Sequence, residues 1–303
     1  MLLATKSPRV VEYLFDGFWL GRACIALDSA DGDCEDALTY YHEHFGGPVP
    51  VRQLVFHGPG QSLLEALRHL HHVGIAHLDV KAPNLLWWKR GGVEDPASDV
   101  YKICDLELAK HMGLGALTFD SRSTPLYAPP VGVGAEFSGS AFDVYCAGFT
   151  LLTLFGFACE VGRDVVDLKA LQETFTLGKI KDGEDDEYDE YDEDDEYGIY
   201  YSLDHTGRTE LLKVRLEMVN EFVMPATGLG EALGTTIKMM MDPREQDRPS
   251  AATVLDHLAT AEAEHVAQVQ AENVELRAET VELRAEAVEL RAQNTELRAQ
   301  IQP

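Results

Sequence analysis

The segment QSLLEALRHLHHVGI places apolar side chains at positions 63, 64, 67, 70 and 73, the spacing of one face of an amphipathic helix. Upstream, residues 9 to 28 read as two short strands, RVVEYLF and ACIALD, joined by an aromatic turn DGFWLG. Asp28 to Asp36 is acidic and turn-like, and a helix is predicted over Glu35 to Phe45, ending at Gly46 and Gly47. NLLWW and VYKICDL read as a strand pair around the loop KRGGVEDPASD. Met112 to Phe137 is rich in Gly, Ser and Pro and is predicted as an extended loop. Residues 142 to 158 are apolar on nearly every side, which predicts a buried helix, and helical patterning resumes near 208–224, 229–241 and 250–263. The pattern predicts an α+β fold with its few strands early in the chain and helices dominating the rest.

A different period governs the tail. Leu276, Leu283, Leu290 and Leu297 recur every seven residues and define a d position, with Val266, Asn273, Thr280, Ala287, Asn294 and Ile301 at a. Glu272, Glu279 and Glu286 fall at g, and Arg277, Arg284, Arg291 and Arg298 at e. None of these arginines has a glutamate three or four residues away, so a lone helix does not pair them by that spacing. In a parallel dimer a g residue meets the e residue five places on in the other chain. The tail, 262–303, is therefore expected to be a coiled coil that makes a parallel homodimer. The competing reading is a single helix whose second stripe, Val274, Ala278, Val281 and Ala285, packs on the preceding domain.

Composition changes the picture in one respect. With 45% hydrophobic residues the 303-residue chain has material for a core, but its formal charge is −27. Such a chain repels phosphate backbones and anionic lipid, so nucleic acid and membrane surfaces are not expected partners. Twelve of the fifteen residues from Asp182 to Glu196 are acidic, which predicts a disordered insertion at 181–198. The five cysteines are scattered without metal-ligand spacing and read as reduced thiols of an intracellular protein, cytoplasmic or nuclear. No signal-peptide pattern opens the chain, and no apolar run approaches a membrane span. His69 and His72 share a predicted helix face, but no carboxylate or cysteine completes a metal set with the neighbouring histidines.

The chemistry concentrates in HLDVKAPN, residues 77 to 84. It resembles the catalytic loop of eukaryotic protein kinases, H-R-D-x-K-x-x-N, through His77, Asp79, Lys81 and Asn84, with Leu78 in place of the Arg. CDLE resembles the D-F-G loop through Asp105, with Glu107 in place of the Gly. STPLYAPPV resembles the end of an activation segment through Thr124, Pro125, Tyr127 and Pro130, with Val131 where a Glu is usual. FDVYCAG resembles the start of a buried C-lobe helix through Asp143 and Gly148, and DPREQDRPSA resembles a late C-lobe segment through Arg248. The five segments occur in the family's order between residues 60 and 258.

The resemblance implies a protein-kinase-like fold. It divides the chain into a minimal N-lobe and hinge at 1–30, a mostly helical C-lobe at 31–260, and the coiled coil. It implies transfer of a phosphoryl group from ATP, with Mg2+, to serine or threonine hydroxyls of a protein substrate. Asp79 is the expected catalytic carboxylate and Lys81 the cation that neutralises the moving phosphate. Asn84 and Asp105 are the expected metal ligands, Thr124 positions the substrate, and Leu86 forms part of the adenine floor. No G-x-G-x-x-G occurs in the chain, and Lys6 is the only lysine before the hinge-like IALDSADG. Phosphotransfer by this chain is therefore expected to be impaired. The alternative is a catalytically inactive pseudokinase scaffold that dimerises through the coiled coil and works through a protein partner. A small-molecule kinase of the aminoglycoside phosphotransferase type shares His77, Asp79 and Asn84, but Lys81 and STPLYAPP argue against it. Loss of the family Glu at Val131 predicts that Arg248 is exposed or paired elsewhere, with Glu136 a candidate.

Overall fold

The structure is a computed structural model that describes residues 7–45, 50–90, 98–113, 117–118, 124, 127–131, 135–158, 205–220 and 229–301. The chain divides into two compact units, Met1–Ala259 and Thr260–Pro303. The expected acidic insertion at 181–198 and the expected helix end at Gly46 and Gly47 lie outside the described residues.

The first unit opens with an antiparallel hairpin, β1 (Tyr13–Trp19) and β2 (Arg22–Leu27). The sequence pattern assigned DGFWLG to the turn, whereas the ladder runs through it to a Trp19–Arg22 pair. Only Leu20 and Gly21 turn, both at positive φ (49° and 77°). That two-residue geometry matches the twist of the flanking strands, so the aromatic residues stay in the ladder. Phe18, Trp19 and Leu20 stand 82%, 73% and 91% exposed on this two-stranded sheet.

The strands that matter for the site form a second sheet. β3 (Gly32–Asp33) pairs with β5 (Leu85–Trp88), and β5 pairs with β6 (Val100–Ile103), all antiparallel. Val10 bridges Ile103 in parallel, which ties the start of the described chain to β6. Asp33 also caps α1 (Cys34–Phe45): its Oδ1 accepts the N–H groups of Glu35 at 2.8 Å and Asp36 at 3.0 Å.

The core is helical. A π-type turn, Arg52–Phe56, leads into α2 (Pro59–His72), which starts on proline and ends at Gly74 with φ of 78°. Leu63, Leu64, Leu67 and Leu70 are wholly buried, which is the face the sequence period predicted. Against α2 lies α3 (Gly139–Ala158), in which every residue from Phe142 to Phe155 is buried. A helix enclosed on all sides carries no amphipathic stripe, in keeping with its sequence. α4 (His205–Met218) follows, then α5 (Leu229–Met240), which packs on α3 where Gly148 lets Met240 and Met241 approach.

Two-residue strands bracket the segment read as an extended loop. β4 (Ile75–Ala76) pairs with β7 (Lys110–His111), and β8 (Leu117–Thr118) with β9 (Glu136–Phe137). Pairs this short leave no period in the sequence. The last helix, α6 (Ala251–Ile301), runs unbroken for 51 residues. Among the described residues no helix is long and apolar enough to cross a membrane. In the second unit Val274, Leu276, Val281, Leu283, Val288 and Leu290 are all exposed.

Candidate active site

The loop His77–Asn84 leaves β4, makes one 3₁₀ turn at Ala82–Asn84 and enters β5. Asn84 therefore sits in the turn, not on the strand with Leu86 as its spacing suggested. The loop is held from below by a wholly buried carboxylate on α3. Asp143 Oδ1 accepts the Leu78 N–H at 2.7 Å, and Oδ2 accepts the His77 N–H at 2.8 Å. Oδ2 also contacts His71 Nε2 at 2.9 Å. Between these anchors Leu78 takes a left-handed backbone with φ of 67°, which costs a non-glycine residue roughly 1–2 kcal/mol. Leu78 is buried in the core, so the position that carries an arginine in the family pattern here serves packing.

The strained backbone aims Asp79 at a group of donors. Its Oδ1 accepts the Thr124 hydroxyl at 2.7 Å and the Thr124 N–H at 3.1 Å. Its Oδ2 accepts the Asn84 amide at 2.9 Å and pairs with Lys81 Nζ, also at 2.9 Å. Lys81 Nζ donates in turn to Thr124 Oγ1 at 2.8 Å. Burial alone would raise the Asp79 carboxyl, but the bonds from Lys81 and Thr124, with the charge of Lys81, hold it below the usual carboxylate range. A depressed folded value means that Asp79 stabilises the fold above the ordinary aspartate pKa of about 3.9, and that this contribution disappears as pH falls through the lower folded value. Asp79→Asn is expected to flatten the acid limb of stability in that window, which denaturant titration at stepped pH checks.

A second chain of bonds ties the neighbouring loop to this one. The Asp79 N–H donates to His77 Nδ1 at 3.2 Å, so Nε2 carries the proton and donates to Cys104 O at 2.7 Å. The Cys104 N–H donates to Asn84 O at 2.9 Å. Asp105 follows immediately, with φ of 58°, exposed, and with Oδ1 accepting the Glu107 N–H at 3.3 Å. Burial, then Asp105 and Asp33, push the Cys104 thiol up to about 12, so it stays protonated. Across from Lys81, Glu35 on the first turn of α1 is raised by burial and by Asp33 and Asp36, with Lys81 acting against the rise.

The structure thus gathers Asp79, Lys81, Asn84 and Thr124 into one network. Asp105 is joined to it through the backbone, and its carboxylate contacts none of the four among the described residues. Leu86 is the half-buried residue of β5, paired in register with Asp33 and Lys102. Asp143 and His77 are the positioning residues that the sequence named without roles, since a fold-distant partner leaves no local signal.

Oxygen donors of this kind suit magnesium. Asn84 spends its Nδ2 on Asp79 and has no partner for Oδ1 among the described residues, and Asp105 has one oxygen to spare. Among the described residues no three His, Cys, Asp or Glu side chains converge on one point. Asn84 Oδ1 and the second Asp105 oxygen are the uncommitted acceptors that a cation could use here. Of the histidines neighbouring His69 and His72, His71 and His77 are engaged by Asp143 and Cys104 O.

Arg248 departs from expectation. It is partly buried, yet it forms no ion pair with Glu136 or any other acid among the described residues. Its donors go to the carbonyls of Asp242 at 2.7 Å, Ala141 at 3.1 Å and Pro243 at 3.3 Å, and it lies over the Tyr145 ring. Glu136 and Val131 merely line the same pocket, about 150 Å³ in volume. Carbonyl dipoles and a ring face replace the missing carboxylate, and burial lowers the guanidinium pKa. Only a planar fork reaches three carbonyls at once, so Arg248→Lys is expected to cost about 1–3 kcal/mol in denaturant unfolding.

Residues 51–258 match the family model described as Protein kinase domain. That match covers more than half of the chain, and the chain belongs to the protein kinase family. It is 35% identical over 124 residues to mitogen-activated protein kinase kinase kinase 20 of Arabidopsis thaliana, a stretch that is 39% of this chain and 33% of that protein. It is 31% identical over 133 residues to serine/threonine-protein kinase chk-1 of Caenorhabditis briggsae, covering 42% of this chain and 24% of that protein. With death-associated protein kinase dapk-1 of Caenorhabditis elegans it shares 33% identity over 88 residues, 29% of this chain and 6% of that one. The matched stretches span a third or less of each relative's length.

Proposed function

We propose that this chain is a Ser/Thr-type protein kinase relative in which the C-lobe half of the catalytic machinery is assembled and phosphotransfer is weak. The observation that carries the reading is the Thr124 hydroxyl on Asp79 Oδ1, with Lys81 bridging both. A hydroxyl already donates to the carboxylate that would receive the proton of an attacking serine or threonine. In the reaction the substrate oxygen forms a bond to the γ-phosphorus, the bond to the ADP oxygen breaks, and the hydroxyl proton passes to Asp79 Oδ1. Bound ATP with magnesium supplies the phosphoryl group and neutralises its charge. Asn84 and Asp105 would hold the metal, Leu86 would form part of the adenine floor, Lys81 would offset charge on the transferring phosphate, and Thr124 would order the substrate-binding segment.

The weakness follows from the donors this chain lacks. Loss of one preorganised charge-stabilising donor typically lowers rate by roughly 10² to 10³. No G-x-G-x-x-G occurs in these 303 residues, and Lys6 is the only lysine before Asp28. Calorimetric titration with ATP, with and without magnesium, tests this reading. Weak, magnesium-dependent binding that disappears in Asp105→Asn and Asn84→Ala supports it.

A second reading has its own observation, the row of exposed leucines and valines on α6. In that reading the chain is a pseudokinase scaffold, dimerised through 262–303 and acting by binding a protein partner. Absence of nucleotide binding at millimolar ATP would favour it.

A further inference from the structure

A cavity of about 560 Å³ lies away from the catalytic loop, lined by Ser7, Arg9, Glu65, Arg68, His69, His72 and Ala252, with Pro8 between the first two. We propose that it binds an organic phosphate monoester, with the oxyanion on Arg68, His69 and His72 and the carbon body in the cavity. The proposal is independent of the kinase reading.

Three rigid pieces of chain build the walls. Residues 65, 68, 69 and 72 lie one helical turn apart in steps of three and four, so they share a face of α2. The segment from Ser7 to Val10 forms the second wall, pinned to β6 by Ile103 N–H to Arg9 O and Val11 N–H to Ile103 O, both 2.9 Å. The third wall is the first turn of α6, where Ser250 takes the Thr253 N–H on its Oγ and the Val254 N–H on its carbonyl, and Ala252 lines the cavity.

The charges within the cavity are unequally used. Arg9 Nε is committed to Glu65 at 2.6 Å, and Gln61 donates to the other Glu65 oxygen at 3.1 Å, so the one acid lining the cavity among the described residues has its charge balanced by Arg9. Arg68 and His72 are exposed and have no polar partner among the described residues. His69 goes further: it lines the cavity, and its Nε2 is buried with no partner among the described residues, a state that costs roughly 1–3 kcal/mol. A guanidinium fork beside two imidazoles is the donor set that an oxyanion requires. In a chain of net charge −27 such a cluster is a local reversal of sign. The volume decides against a bare ion, since it falls in the range of about 300–1,000 Å³ typical of organic-ligand sites.

The test is calorimetric titration of the full chain with phenyl phosphate, a phosphotyrosyl peptide, inorganic phosphate and phenol. Phenyl phosphate is expected to bind at least about tenfold more tightly than inorganic phosphate or phenol. Arg68→Glu and His69→Phe are each expected to weaken it by about tenfold or more, while Asp105→Asn leaves it unchanged. Arg68 is exposed, so its variant should keep the wild-type melting temperature. Equal affinity for the peptide and phenyl phosphate assigns a small organic phosphate, and tighter peptide binding assigns a phosphorylated polypeptide. Absence of phenyl phosphate binding at about 10 mM, or unchanged affinity in Arg68→Glu, overturns the site. Inorganic phosphate binding as tightly as phenyl phosphate overturns the organic ligand.

Discussion

Asp143→Ala is expected to lower the stability of the first unit by about 2–6 kcal/mol, because it strands two buried backbone N–H groups at roughly 1–3 kcal/mol each. Those groups belong to His77 and Leu78, and the same carboxylate contacts His71. Part of the loss returns when Leu78 relaxes from its left-handed backbone, so the catalytic loop should lose its shape before the core does. Asp143→Asn keeps one acceptor oxygen and should fall between the two. Urea unfolding of the three proteins checks the order, and a loss below about 1 kcal/mol for the alanine variant would show that the loop is held by other contacts.

The second large effect concerns α6. Eight d-position leucines across a parallel pair contribute roughly 12–24 kcal/mol gross, of which association and ordering remove a large part. Arg277 and Arg284 form no ion pair among the described residues, which suits pairing with Glu272 and Glu279 of a second copy. Asn273 donates to its own Val269 O at 2.8 Å and Thr280 to Leu276 O at 2.7 Å, so these polar a residues satisfy part of their need within one helix. The full chain is expected to sediment as a dimer at about 10 μM, and a chain ending near Thr260, or one carrying Leu283→Asp with Leu290→Asp, as a monomer. Monomers throughout would contradict the dimer.

Much of this architecture is written in the sequence where a period or a motif is long enough to read. The buried face of α2, the all-round burial of α3, the β5–β6 pair and the catalytic segment all follow from local pattern. The hairpin turn does not, because Leu20 gives no hint of a positive φ and the aromatic residues before it resemble a loop. The short bridges β4–β7 and β8–β9 are tertiary in origin. Asp79, Lys81 and Asn84 meet because five residues of one loop fix their reach, whereas Thr124 joins them from 45 positions further on. The anchoring by Asp143 depends on residues more than sixty positions apart, and the carbonyl cage of Arg248 on backbone groups that no side-chain pattern encodes.

The account turns on phosphotransfer by the chain as it stands. The direct measurement is single-turnover transfer from γ-labelled ATP to a mixed Ser/Thr peptide pool, with the 303-residue chain and with Asp79→Asn. The account predicts a trace rate, at least about 10²-fold below ordinary kinases, that falls further on substitution. Turnover in the ordinary kinase range of about 1–100 s⁻¹, abolished by Asp79→Asn, would contradict it and require another group in this chain to replace the missing lysine.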